Sequence, residues 1–138
     1  MLLLGSKETA RAPEVQEAYD RHRMILWEKY GDNPPCPFCD LPGRKVIEET
    51  STLAVLENDF PYDSFENQKI LRHYMIVPRR HISLFEDFTQ AEQEEYWQLM
   101  ATYHKKGYSS LTRSAIDVMR SVPLHLHTHL FFYLPEEA

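Results

Sequence analysis

Cysteine is scarce in this chain: there are two in 138 residues, Cys36 and Cys39. That is too few for a disulfide-stapled scaffold, and their closeness speaks for metal or redox chemistry in a reducing compartment. Positive charge is also in deficit. Fifteen Lys and Arg stand against 21 Asp and Glu, a formal net charge of -6. A general nucleic-acid-binding face is therefore not expected, and an anionic small molecule would need a local cluster of donors. No apolar run has the length of a membrane span. The opening Met1-Leu2-Leu3-Leu4 is too short for a signal peptide and lacks its basic start, so a cytoplasmic address with no membrane partner is the default. Internal repeats and low-complexity tracts are missing too. What is present, 43% hydrophobic and 26% charged residues, fits one soluble globular unit with a single core.

The densest chemical signal is His125-Leu126-His127-Thr128-His129 near the C-terminus. Ser121-Val122-Pro123-Leu124 before it and Leu130-Phe131-Phe132-Tyr133 after it read as a β-strand. Strand side chains alternate faces, so the three imidazoles are expected to point one way. At about 3.3 Å per residue, neighbouring histidines would be roughly 6.6 Å apart and the outer pair roughly 13 Å. Closing all three on one ion would be awkward, which favours a division of labour with the middle ring at the chemistry. The rival reading is a polar stripe, or incidental metal affinity of the kind a purification tag has.

Around this strand the pattern alternates between helix and sheet. Apolar positions Val15, Ala18, Tyr19, Ile25, Leu26 and Tyr30 approximate a helical stripe from Pro13 to Tyr30, with proline in the first turn. Residues 1–11 carry no pattern. Gly31 and Pro34-Pro35 end the helix, and Pro42-Gly43 turns the chain into strands expected at Lys45–Glu48 and Thr52–Glu57. Asp59–Lys69 reads as a polar loop. His73–Pro78 is an apolar run suited to a central strand, closed by Arg79-Arg80-His81. Thr89-Gln90-Ala91-Glu92 is a capping box for a helix whose inward stripe would be Tyr96, Trp97, Met100 and Tyr103, stopped by Lys105-Lys106-Gly107. Tyr108–Thr112 fits another strand, and Ser114–Arg120 reads equally as a helical turn or a loop. The order implies an α+β fold, an antiparallel sheet of about five strands with helices packed mainly on one face.

Cys36-Pro37-Phe38-Cys39 sits on a turn after two prolines. Two thiolates at this spacing can chelate one ion, and a tetrahedral site would have to recruit histidines, for which His81 and His125 are the candidates. A redox pair or plain buried thiols are the alternatives.

Taken in order, these blocks resemble the histidine-triad superfamily. The last matches its His-φ-His-φ-His-φ-φ pattern (φ apolar) apart from Thr128. His73-Tyr74-Met75-Ile76-Val77-Pro78-Arg79-Arg80-His81 is similar to its strand ending Pro-basic-x-His, and Leu56–Tyr62 to its nucleoside-side strand end. The CxxC resembles the zinc-binding branch, related to nucleotidyltransferases acting on hexose 1-phosphates. The resemblance implies a histidine-triad domain at 36–138, preceded by a tail and helix at 1–35. It implies hydrolysis or nucleotidyl transfer at the α-phosphate of a nucleotidyl compound: a dinucleoside polyphosphate, a nucleoside phosphoramidate or a nucleotide sugar. His127 would be the nucleophile, His129 would contact the phosphate or leaving group, and His73 would buttress the triad. Asn58 would meet the ribose and Ser121 a phosphate oxygen. Cys36, Cys39, His81 and His125 would hold a structural zinc, and a homodimer is the family's common assembly.

Each assignment has a plainer rival: His73 as a sheet-end histidine, Asn58 as a turn residue, Ser121 as a residue that merely precedes a strand, Arg79-Arg80 as a solvated pair. The sequence also departs from the family's pattern. Tyr108–Arg120 lacks the glycine and asparagine that usually approach the phosphates, and leaves Ser109, Ser110, Thr112 or Arg113 as possible donors. That keeps two other readings open, a catalytically weak nucleotide-binding module and a zinc-stabilised interaction protein.

Overall fold

A computed structural model describes residues 9–39, 41–117 and 125–135; Ser121 and the first eight residues of the unpatterned stretch 1–11 lie outside them. The elements in chain order are β1 (Thr9–Ala10), α1 (Pro13–Tyr30), β2 (Val46–Glu49), β3 (Leu53–Glu57), β4 (Ser64–Phe65), β5 (Gln68–Pro78), α2 (Gln90–Lys105), β6 (Ser109–Thr112) and β7 (Thr128–Tyr133). The expected α+β architecture is present. Five strands form an antiparallel sheet in the order β2-β3-β5-β7-β6, and the two-residue strands β1 and β4 extend it along the start of β5. No helix of the described residues is long and apolar enough to cross a membrane.

The segment expected to be a loop up to Lys69 is in part a hairpin. Glu66 and Asn67 both have positive φ, 53° and 63°. Left-handed backbone at both central positions is the geometry of a two-residue hairpin turn that matches strand twist. It starts β5 at Gln68 instead of His73. The open edge of β4 in turn pairs with Thr9–Ala10, residues that carry no strand pattern of their own.

The core follows from alternation. β3 is buried on both faces. Leu53 and Val55 meet Ile76 of β5, Leu130 of β7, and Leu99 and Tyr103 of α2. On the opposite face, Ala54 and Leu56 pack with Met75, Val77 and Phe38. α2 therefore covers one face of the sheet, and the histidines occupy the other. Its capping box forms as expected: Glu92 N–H donates to Thr89 Oγ1 (3.1 Å) and Thr89 N–H to Glu92 Oε1 (2.7 Å). The buried Glu92 carboxylate also takes two bonds from Arg80, at 3.0 and 2.8 Å. Arg79 donates to Glu49 at 2.8 Å. Both arginines thus tie neighbouring elements together. In the stripe of α2, Leu99 is buried while Trp97 is 74% exposed, because at 100° per residue Trp97 lies a quarter-turn off the Tyr96–Tyr103 line.

Helix α1 differs from its sequence pattern in one respect: it buries no residue. Gly31 ends it at φ 61°, with its N–H bonded to Trp27 O. Tyr19 and His22 rest on Phe60, and the Arg11 guanidinium stands 4.0 Å from the Tyr19 ring centroid and 4.8 Å from that of Tyr62. The helix forms one wall of an open cleft, so its apolar residues face space instead of core.

Candidate functional site

The histidine segment is less regular than a single strand. β7 begins only at Thr128, so of the three histidines His129 alone lies in the ladder. The cause lies in β5. Ile76 is opposite Thr128, so a continued ladder would set Pro78 opposite Leu126, and proline has no N–H to give. Leu126 N–H instead donates to Ile82 O (2.6 Å). The Pro78 carbonyl is 2.8 Å from His125 Nε2. All three histidines are buried, and the rings of His127 and His129 are 5.1 Å apart. Thr128 faces α2, where its hydroxyl meets Tyr96 Oη (2.8 Å) and Thr112 Oγ1 (2.7 Å). That pairing accounts for a polar residue where an apolar one is expected.

Proton positions on the rings follow from their partners. Tyr62 N–H donates to His73 Nδ1 (3.2 Å), so the His73 proton is on Nε2. His73 Nε2 is 2.8 Å from His129 Nδ1 and donates to it, which leaves the His129 proton on Nε2. On His127, Nδ1–H donates to the His125 carbonyl (3.0 Å), so in the neutral ring the lone pair is on Nε2. Burial, and then the Arg11 charge, hold the His73 pKa down to about 3. Burial, and then His73, keep His129 well below the ordinary histidine value. Both rings are neutral at neutral pH. The site therefore offers an imidazole lone pair beside an imidazole N–H.

Asn58 lies against the same group. Its Oδ1 accepts from Phe60 N–H (2.8 Å), and its Nδ2 approaches His73 Nε2 (3.4 Å) and Met75 Sδ (3.6 Å). It is a turn residue and a cleft residue at once. The cleft has a volume of about 1000 Å³, and Asn58, Met75, Tyr62 and His129 line it on the sheet side. Tyr19, His22, Arg23 and Trp27 of α1 line it opposite, with Phe38 and Arg44 between.

Cys36, Cys39, His81 and His125 converge, with one donor atom from each lying within 4.8 Å of all the others. Cys36 Sγ is 3.4 Å and Cys39 Sγ 3.5 Å from His125 Nδ1; His81 Nδ1 is 3.2 Å from Cys39 Sγ and 3.1 Å from His125 Nδ1. Donors bound at roughly 2.0–2.3 Å around a tetrahedral ion are about 3.3–3.8 Å apart, close to these separations. His125 Nε2–H donates to Pro78 O, which turns Nδ1 toward the cluster, as a metal-binding histidine requires. Without an ion, burial and then the neighbouring Cys36 push the Cys39 thiol up to about 11. The donor set thus fits a divalent cation that stabilises thiolates.

Three groups near the histidines carry no advance signal. Tyr62 sets the His73 tautomer through its backbone, and its ring lies 4.5 Å from His73 and 5.9 Å from His129. Phe38, inside the CxxC, is 5.0 Å from the His127 ring. His22, unassigned from sequence, lines the cleft.

No protein-family model matches the chain, and no curated protein matches it in sequence. Solved structures do match in fold. A HIT family hydrolase from Clostridium thermocellum is 18% identical, with 75% of this chain and 94% of that one covered at a TM-score of 0.53. A histidine triad protein from Clostridium difficile is 16% identical, covering 75% and 93%, at 0.52. A histidine triad nucleotide-binding protein from Candida albicans is 17% identical, covering 75% and 85%, at 0.51.

Proposed function

With the histidine-triad fold as premise, we propose that this protein cleaves nucleotidyl compounds at the α-phosphorus through a nucleotidyl intermediate on His127. The observation that carries this reading is the proton arrangement. His125 O accepts from His127 Nδ1–H, so that the neutral ring would present its lone pair at Nε2, while the Tyr62–His73–His129 relay leaves an N–H on His129 Nε2. A neutral imidazole is both a good nucleophile toward phosphorus and a good leaving group from it.

In the first step the His127 Nε2–P bond forms as the bond from phosphorus to the leaving group breaks, and the leaving group takes the electron pair. A phosphate departs as its anion, and an amine takes its proton from solvent. His129 Nε2–H donates to a phosphoryl oxygen throughout. In the second step a water oxygen bonds to phosphorus, the P–N pair returns to His127 Nε2, and the water proton goes to solvent. Nucleoside monophosphate is released. A sugar phosphate in place of water would make the same sequence a nucleotidyl transfer. Asn58 would meet the ribose, and Ser121 a phosphate oxygen.

Cys36, Cys39, His81 and His125 would hold zinc. Two thiolates and two imidazoles balance its charge and fill its four positions, so it would act as a structural ion that fixes the CxxC turn to the histidine segment.

The test is release of nucleoside monophosphate from adenosine phosphoramidate, diadenosine tetraphosphate, and a nucleotide sugar with a hexose 1-phosphate acceptor. Wild type and His127→Ala would be run side by side. Turnover on any substrate that vanishes in the variant is expected; turnover that survives it would remove His127 from the mechanism.

A further inference from the structure

Two buried side-chain nitrogens have no hydrogen-bond partner among the described residues, and both are arginine Nε atoms, of Arg44 and Arg113. A buried donor left unmatched is costly, so each asks what acceptor the site is built for. At Arg44 the charge is answered: Asp59 is 3.4 Å away, and a terminal nitrogen donates to Pro37 O (3.2 Å). At Arg113 the pairing is thinner. One terminal nitrogen reaches Asp117 at 3.4 Å, while the Arg113 side chain is only 14% exposed.

The sheet register says where Arg113 stands. Leu111 of β6 is opposite His129, and Thr112 is opposite Thr128. Arg113 follows directly on the end of β6, beside the point where the histidine segment enters β7. Its charge is felt there, since it lowers the proton affinity of both His129 and Tyr62. Arg11 acts on the same two groups, but its Nε is committed to Phe60 O (2.7 Å) and its guanidinium stands over the Tyr19 and Tyr62 rings. His73 and His129 are themselves neutral. Positive charge for a phosphoryl group must come from another side chain.

We propose that Arg113 is the anion-binding group of this site, its guanidinium holding the non-bridging oxygens of the phosphoryl group presented to His127. The fork of N–H donors suits two such oxygens, and the charge stays fixed while the phosphorus is attacked. The proposal rests on the nucleotide reading above.

Calorimetric titration of the metal-loaded full chain with AMP, adenosine and inorganic phosphate tests it. Wild type would be compared with Arg113→Gln, Arg113→Lys and, as control, the exposed Arg21→Gln on α1. Arg113→Gln should weaken AMP and phosphate about 10- to 100-fold and leave adenosine within about twofold. Arg113→Lys, which keeps the charge without the fork, should fall between and decides the matter if the glutamine variant does not fold. Arg21→Gln should match wild type. AMP affinity unchanged in the Arg113 variants, or adenosine weakened as much as AMP, would overturn the proposal. Phosphate bound through Arg113 by a protein that releases no nucleoside monophosphate would leave it standing and remove the catalytic reading. Turnover and AMP affinity both unaffected by the Arg113 variants would do the reverse.

Discussion

His73 makes the stability of this protein pH-dependent in a way that can be worked from one ring. In the fold it is 2% exposed, accepts from Tyr62 N–H and donates to His129, and burial holds its pKa down to about 3 against an ordinary 6.5. A group whose folded pKa is depressed contributes stability above its unfolded value. Below pH 6.5 the unfolded chain takes up a proton that the folded chain refuses, and stability falls until pH reaches about 3. At 1.36 kcal/mol per pKa unit, the loss from this ring is about 2 kcal/mol at pH 5, and about 5 kcal/mol once both values are passed. His129, shifted the same way, adds to it. The assay is urea unfolding at pH 8, 7, 6 and 5 for wild type and His73→Gln, whose amide can still donate to His129 without titrating. Acid release of a bound metal is common to both proteins and cancels in the difference. Wild type should lose about 2 kcal/mol more than the variant between pH 8 and pH 5. Parallel pH curves would refute both the buried neutral tautomer and the relay built on it.

Three further outcomes follow from the geometry. Metal analysis of gently purified protein should find one zinc per chain, and chelation or Cys39→Ser should lower the melting temperature; a metal-free protein with an unchanged melt would dissolve the cluster reading. Radiolabel from an α-phosphate-labelled substrate should be trapped on wild type in an acid-labile, base-stable form and be absent from His127→Ala, with kcat reduced at least about 10³-fold. Thr128→Val removes a hydroxyl that meets both Tyr96 and Thr112. It should cost about 1–2 kcal/mol in urea unfolding, and no loss would mean those hydroxyls are satisfied elsewhere.

How much of this was legible depends on the range of the interaction that decides each feature. Local rules placed α1, the capping box of α2, strand β3 and the sheet class, because each is written within a few residues. Cys36 and Cys39 announced a chelating turn by spacing alone, and their meeting with His81 and His125 matches the set named from sequence. The hairpin at Glu66-Asn67 was missed because its left-handed backbone uses no glycine. The exposure of Trp97 was missed because an aromatic next to the helical stripe is easily read as part of it. The break before Thr128 was harder still. It is caused by Pro78, 50 positions away in sequence, and becomes visible only when the β5–β7 register is known. Arg113 was open from sequence as one of four possible donors, and what sets it apart is the pairing of β6 with β7, which brings the end of β6 to the start of the histidine strand.

That break also explains how the two clusters are joined. In an unbroken strand His125 would be one more residue of the ladder's alternation. Because pairing with β5 stops before Pro78, the His125 ring turns its Nε2 onto the Pro78 carbonyl and its Nδ1 into the cysteine cluster, and its own carbonyl receives His127 Nδ1–H. One residue thereby fixes a candidate metal ligand and the tautomer of the proposed nucleophile. A bound ion would immobilise His125 at its ring, and the constraint passes to His127 through two backbone bonds and one hydrogen bond. Losing the metal should therefore lower kcat, and because Cys36, Phe38 and His81 also line the cleft, it should raise KM as well. If metal removal raised KM and left kcat intact, the cluster would be a prop for the cleft and not for the nucleophile.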